Sequence, residues 1–450
     1  MSNTEKKQLR LNAMLFGAGN HCAAWRHPET PANANYSPEY FKNLVRIAER
    51  GKFDAIFFAD MLGYNSNDKE VSAQGITPLF LDPLTLLTYL STYSKNIGLI
   101  ATVSTSYFEP YHLARKFATL DLISGGRTGW NVVTSARDFE AQNFGLEKQR
   151  NPAERYKIAR EYVDVVKGLW DSFEDDAFEF DKANARVYDP EKLRELNHKG
   201  EYYSVKGPAN LPRPIQGYPV MVQAGSSADG QELAAETAEV VFTAQPTLSG
   251  AIEFYKEIKS RLAKYGRAKD ELLILPGLSP VIGRTEAEAK AKYDELQELI
   301  PDVSGKAFLG LIGIDFSKYS PDDPFPEIPI TEGPQSRQKL IADMARKDNL
   351  TIRQVFQRLA GARGHLVIYG TPTSIADQLQ EWLEKEAADG FNIMPPLLPS
   401  SLEEFVDLVI PELQKRGIFR TEYEGKTLRE NLGLKRPANQ YLTKVVEAEN

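Results

Sequence analysis

Cysteine is almost missing from this chain: Cys22 is the only one in 450 residues. A lone thiol excludes an intramolecular disulfide and any cysteine-built zinc cluster, and it fits a reducing cytoplasm. Histidine is also scarce. His21, His27, His112, His198 and His365 are dispersed and form no helical metal-binding pair. No apolar run approaches the roughly 18 residues of a membrane span. Residues 1–7 are polar and lack the apolar core of a secretory signal. The sequence has no Gly-x-Ser-x-Gly nucleophile elbow and no Walker A loop. Gly17-Ala18-Gly19 follows an apolar run, but Cys22 stands where a dinucleotide fingerprint would place its third glycine. A formal net charge of −8, with only short basic clusters such as Lys6-Lys7, argues against a nucleic-acid surface.

What the chain does have is alternation. Apolar runs at 11–16, 53–60, 97–104, 128–133, 219–224, 240–243, 272–275 and 391–394 read as strands, with helix-period segments between them. Residues 36–50 read as a helix stopped by Gly51. Asp82-Pro83 provides a cap and a first helical position, and 111–123 ends at Gly125-Gly126. Eight such units fit an α/β fold, a (β/α)8 TIM barrel, better than an open sheet. The whole chain, 1–450, is expected to be one barrel domain with insertions at about 172–216 and 301–359. Barrel insertions of this kind belong on the loops of the C-terminal face, where active sites lie. The second insertion contains Phe308-Leu309-Gly310-Leu311-Ile312-Gly313, apolar enough to cover a pocket, with Gly310 and Gly313 as candidate hinges.

Polar groups at strand ends are the candidate chemistry. Gln223-Ala224-Gly225-Ser226-Ser227-Ala228-Asp229-Gly230 joins an apolar strand to a helical pattern. Glycine allows close backbone approach, and the helix start offers free N–H groups and a positive dipole, as a phosphate cradle requires. Taken alone, the segment reads more simply as a serine N-cap. Asp60 ends the second strand, Ser104-Thr105-Ser106 the third, and Thr134-Ser135 follows the fourth; together they would line the barrel mouth. Tyr156 opens a helix with one apolar stripe and either reaches a phosphate or packs at the core edge. His21 lies just after strand one; a proton-transfer or substrate-contact role competes with that of a satisfied structural histidine.

These segments carry a resemblance. Ala24-Trp25-Arg26-His27-Pro28, Gly51-Lys52-Phe53-Asp54, Asp121-Leu122-Ile123-Ser124-Gly125-Gly126-Arg127, Trp130-Asn131-Val132-Val133-Thr134-Ser135, Asn197-His198-Lys199-Gly200, Gln223-Ala224-Gly225-Ser226-Ser227 and Thr427-Leu428-Arg429-Glu430-Asn431-Leu432-Gly433-Leu434 match in order. The sequence resembles the nitrilotriacetate monooxygenase component A family of the bacterial luciferase-like superfamily. The resemblance implies a luciferase-like TIM barrel that binds FMN at its mouth. It implies FMNH2 supplied by a separate NAD(P)H:FMN reductase, and O2 used to oxidise a small organic substrate, often with C–N or C–S cleavage. It places Asp60 and Ser106 at the isoalloxazine and Tyr156 and Ser227 near the phosphate; Ser135 and Ser226 join them by proximity to those motifs. Members commonly carry histidine four residues before this tyrosine, where Pro152 stands here, so that contact is lost or moved. The Gln-Ala-Gly-Ser-Ser and Asn-His-Lys-Gly stretches look closest to members acting on sulfur compounds. A homo-oligomer is expected, without nucleic-acid or membrane partners. Two rival readings are a deazaflavin-dependent hydride-transfer enzyme of the same superfamily and a non-catalytic flavin-binding protein. A barrel glycosidase would need paired carboxylates at the mouth, and strands four and seven lead instead into Thr-Ser and Leu-Pro-Gly.

Overall fold

All eight apolar runs become strands of one closed parallel sheet. They are β1 (Arg10–Met14), β2 (Ala55–Phe58), β3 (Gly98–Ser104), β4 (Thr128–Val133), β5 (Val220–Ala224), β6 (Val240–Thr243), β7 (Leu273–Ile282) and β8 (Gly390–Ile393). The computed structural model describes residues 7–64, 69–74, 81–225, 227–310, 316–327, 335–362 and 364–442. Pairing of β1 with β8, and of β6 with β7, closes the ring. Closure leaves the barrel without a free edge, and helices cover its outside.

Strand alternation divides the side chains between two cores. Ile56 and Phe58 face the surrounding helices, whereas Phe57 joins Met14, Ile100, Val222, Leu275 and Met394 inside the barrel. The Pro38–Arg50 helix shows the outer pattern. Ser37 caps it by accepting from the Tyr40 N–H at 3.2 Å, and Phe41, Leu44, Val45 and Ala48 are buried against the sheet. The bottom of the barrel is closed by the Leu428–Leu432 helix. Leu428 lies so close to Gly98 that a Cβ there would meet its Cδ1 at 2.4 Å.

Three expectations are corrected. β7 does not stop near residue 275. It runs to Ile282, because its outer half pairs with a ninth strand, Leu366–Gly370, that the sequence reading missed. The 172–216 insertion is not on the C-terminal face. It follows the Pro152–Trp170 helix and leads into β5, so it occupies a helix-to-strand connection, and it folds into two small hairpins, Phe178–Asp181 with Arg186–Tyr188 and His198–Lys199 with Ser204–Val205. Arg213 in this segment donates to Asp171 at 2.7 Å and to the Pro437 carbonyl at 3.0 Å, tying it to the C-terminal tail. The helix after β5, Ala228–Thr237, begins inside the segment 223–230 that was expected to join strand to helix, because Ser227 caps it.

The second insertion does reach the mouth. Its helices, Asp302–Gly310, Gln335–Lys347 and Ile352–Ala362, surround a small core of Leu309, Phe316, Ile341, Val355 and Phe356. Ala23 of the loop after β1 belongs to that core, and Ser304 donates to Gln74 Oε1 of the β2 loop at 2.7 Å. Gly310 ends the first of these helices; Gly313, the other predicted hinge, lies outside the described residues.

Candidate active site

The ends of β2, β3 and β4 converge on one polar cluster. Ser106 Oγ donates to the Thr134 carbonyl at 2.6 Å, and Ser135 Oγ lies in hydrogen-bond contact with Ser104 Oγ at 3.0 Å. Ser135 has a positive φ of 46°, a left-handed turn that few non-glycine residues adopt. Arg155, from the Pro152–Trp170 helix, holds this turn: its Nη1 donates to Thr134 Oγ1 at 2.9 Å and to the Ser135 carbonyl. The buried Glu140 carboxylate accepts from Ser135 Oγ at 3.2 Å and from Leu62 N–H at 3.2 Å.

Asp60 sits beside this cluster. Its Oδ1 accepts the Met61 N–H at 2.8 Å. Burial pushes its carboxyl up to about 7, with Asp82 and Glu140 adding repulsion and the Met61 bond opposing it. Below pH 7 Asp60 is therefore a hydrogen-bond donor; above it, an acceptor. The unfolded chain releases this proton near pH 4, so the protonated folded state loses its advantage as pH rises from about 4 through 7. Asp60→Asn should accordingly gain stability over the parent at pH 8 relative to pH 5. Urea midpoints at both pH values measure this, and a pH-independent difference would assign the titration elsewhere.

The phosphate-side candidates also meet. Tyr156 Oη lies 3.3 Å from Ser227 Oγ, although 71 positions separate them in sequence. Ser227 accepts the Gly230 N–H at 3.2 Å as N-cap of the Ala228–Thr237 helix, which is the cap reading of this segment. Gly230 packs closely beneath the pair: a Cβ would stand 2.9 Å from Tyr156 Oη and 3.0 Å from Ser227 Oγ, so a hydroxyl would have to give way. Pro152 occupies the first turn of its helix, where no N–H is needed, and Asn151 caps that helix by accepting from Glu154. Ser226 lies outside the described residues.

The two histidines of the mouth differ in setting. His21 is buried in a seam between the β1 and β8 loops. Its N–H donates to the Pro396 carbonyl at 3.2 Å, and its Nδ1 accepts from Ala23 N–H at 3.2 Å. His365 was only counted in the sequence reading, yet it lies across the mouth. Its ring stacks on Phe242 with centroids 4.8 Å apart and planes at 5°, over Gly277, where a Cβ would come within 2.3 Å of its Nδ1. Nothing in the sequence signalled this contact, because the seventh strand was expected to end before Gly277. Arg155 and Glu140 carried no signal of their own, since both resemble helix-surface charges.

Fold and mouth together define an α/β-barrel enzyme whose polar groups gather at the strand C-termini. The model of the luciferase-like monooxygenase family matches residues 19–389. N-acetyl-S-(2-succino)cysteine monooxygenase of Bacillus subtilis (strain 168) is 50% identical over 442 residues, covering 97% of this chain and 99% of that protein. Nitrilotriacetate monooxygenase component A of Aminobacter aminovorans is 48% identical over 443 residues, covering 96% and 98%. A riboflavin lyase solved with modified FMN and riboflavin superposes with a TM-score of 0.84 at 31% identity, covering 96% of this chain and 97% of that one. The chain belongs to the luciferase-like monooxygenase family and is a flavin-dependent monooxygenase.

Proposed function

We propose that this protein is the oxygenase component of a two-component system. It takes FMNH2 from a separate NAD(P)H:FMN reductase and uses O2 to oxidise a small organic compound at a C–S or C–N bond. The observation that carries this reading is the Tyr156–Ser227 pair at a capped helix start, with Gly230 packed closely beneath it. Two hydroxyls brought together at a helix start, with its N–H groups and dipole, suit a terminal phosphate. Tyr156, Ser227 and Ser226 would hold that phosphate, while Asp60, Ser106 and Ser135 would face the ring.

When bound, reduced FMN supplies the two electrons that let dioxygen deliver one oxygen atom to the substrate. The chain's own groups do the rest. Asp60 holds a proton near neutral pH, His21 is a candidate proton carrier from the β1 loop, and the 302–362 insertion screens the mouth from water. The substrates named for the two relatives are carboxylate-bearing compounds with a carbon–sulfur or carbon–nitrogen bond, which supports the same class here. Among the described residues no helix is long and apolar enough to cross a membrane. We place the protein in the cytoplasm, acting as one barrel unit and assembling as a homo-oligomer.

The test is reconstitution. The purified chain with FMN and NADH should not oxidise NADH, whereas adding a flavin reductase should give product with a candidate thioether or amine. Sustained NADH oxidation by the chain alone overturns the reading. A second result concerns the phosphate. Ser227→Ala removes one hydrogen bond to a charged group, about 1.5–3 kcal/mol, so FMN affinity should fall roughly ten-fold or more. Riboflavin, lacking phosphate, should bind almost as before. Equal losses for both would place Ser227 away from the phosphate.

A further inference from the structure

Glu140 makes more contacts than a helix cap requires. It stands third in the short Asp138–Ala141 helix, and its Oε2 accepts from the Arg137 N–H at 3.3 Å and the Ala136 N–H at 3.4 Å, which is ordinary capping. Its Oε1 does something else. It reaches out of the helix to Leu62 N–H, two residues beyond Asp60, and to Ser135 Oγ, each at 3.2 Å. Ser135 Oγ in turn meets Ser104 Oγ of β3 at 3.0 Å. Asn143 Nδ2 also donates to the Leu62 carbonyl at 2.9 Å, and a Cβ on Gly63 would strike Phe139 at 2.9 Å. The segment around Glu140 is thus docked on the β2 loop by side chain, backbone and close packing.

We propose that Glu140 is a positioning residue for the flavin ring, one buried carboxylate that joins the ends of β2, β3 and β4 and so fixes the spacing of Asp60, Ser106 and Ser135. The role rests on the flavin reading above. A buried carboxylate accepting four hydrogen bonds costs too much desolvation to be retained for a four-residue helix alone. Its charge also bears on its neighbours. Asp60 faces it from β2 with Asp82 beyond, Tyr107 from the β3 loop, and Arg155 from the Pro152–Trp170 helix. Glu140 and Asp82 both raise the Asp60 carboxyl, so neutralising Glu140 should move the Asp60 titration to lower pH.

The experiment uses the full chain with Glu140→Gln and Glu140→Asp, titrated with oxidised FMN and with riboflavin from pH 5.5 to 8.5, alongside amide exchange. Glu140→Gln should weaken FMN and riboflavin alike by about ten-fold, because the ring side is disturbed and the phosphate side is not. It should also shift the pH break in affinity downward and speed exchange at 61–63 and 135–137 without a global change. Glu140→Asp keeps the charge but shortens the reach. It should weaken both ligands while leaving the pH break near its parental position, which separates positioning from charge and serves if the glutamine variant folds poorly. Faster exchange confined to 137–141 with both affinities unchanged would reduce Glu140 to a helix cap. If the parent binds neither flavin, the flavin reading itself fails; if the parent binds both and the variants match it, only the role of Glu140 does.

Discussion

Excising residues 302–359 and bridging the gap with a flexible linker is expected to leave FMN bound and to divert most of its reducing equivalents into hydrogen peroxide. The insertion is suited to such a cut because its apolar residues form their own cluster, apart from the helix-facing and interior cores of the barrel. It touches the mouth through Ala23 and through the Ser304–Gln74 bond, on the loops after β1 and β2. The proposed phosphate groups lie instead on the β5 loop and the helix before it. A cover removed from one side should expose the reaction to water without dismantling the cofactor cradle. The readout is the ratio of product to oxygen consumed, with peroxide measured directly. A shortened protein that couples oxygen to substrate as well as its parent would show that the insertion is no lid.

The largest effect on stability should come from Arg420→Leu. Asp54, at the foot of β2, is fully buried, accepts the Leu11 N–H at 2.7 Å and receives Arg420 Nη2 at 2.5 Å. Burial pushes the Asp54 carboxyl up, and Arg420, Arg10 and the Leu11 bond pull it back. Removing the guanidinium strands that carboxylate inside the protein, a loss of about 3–5 kcal/mol for broken buried pairs. Arg420 also donates to the Asn431 carbonyl, so the C-terminal plug loosens with it. Denaturant midpoints of the single variant and of Asp54→Asn with Arg420→Leu provide the check. The double variant should recover part of the loss, because its buried amide bears no charge. A single variant as stable as the parent would mean that water reaches Asp54 and the pair is not closed off.

The strands and the barrel were legible because their information is local. Runs such as Ala55–Phe58 and Gly98–Ser104 are buried along their whole length, and a parallel strand covered on both faces is predominantly apolar. Helix limits were legible where a cap or glycine marks them, as at Asp82 and at Gly125, whose φ of 72° closes the Pro110–Ser124 helix. The Leu366–Gly370 strand is also an apolar run, Leu-Val-Ile-Tyr-Gly, but it falls outside the eight-strand repeat because it pairs only with an extension of β7.

The site divides in the same way. The sequence by itself determined that hydroxyls and a carboxyl stand at strand ends, and that a serine precedes a helix start after the fifth strand. Tertiary structure alone decided that Tyr156 meets Ser227, that Arg155 and Glu140 clamp the Ser135 turn, and that His365 lies over Gly277 against Phe242. It also decided that the Asp60 carboxyl is pushed up to about 7, since desolvation depends on which loops close around it. Local pattern follows from backbone periodicity, which each segment carries in its own residues. Contacts across 71 or 123 positions follow from barrel closure and strand register, which no single segment contains.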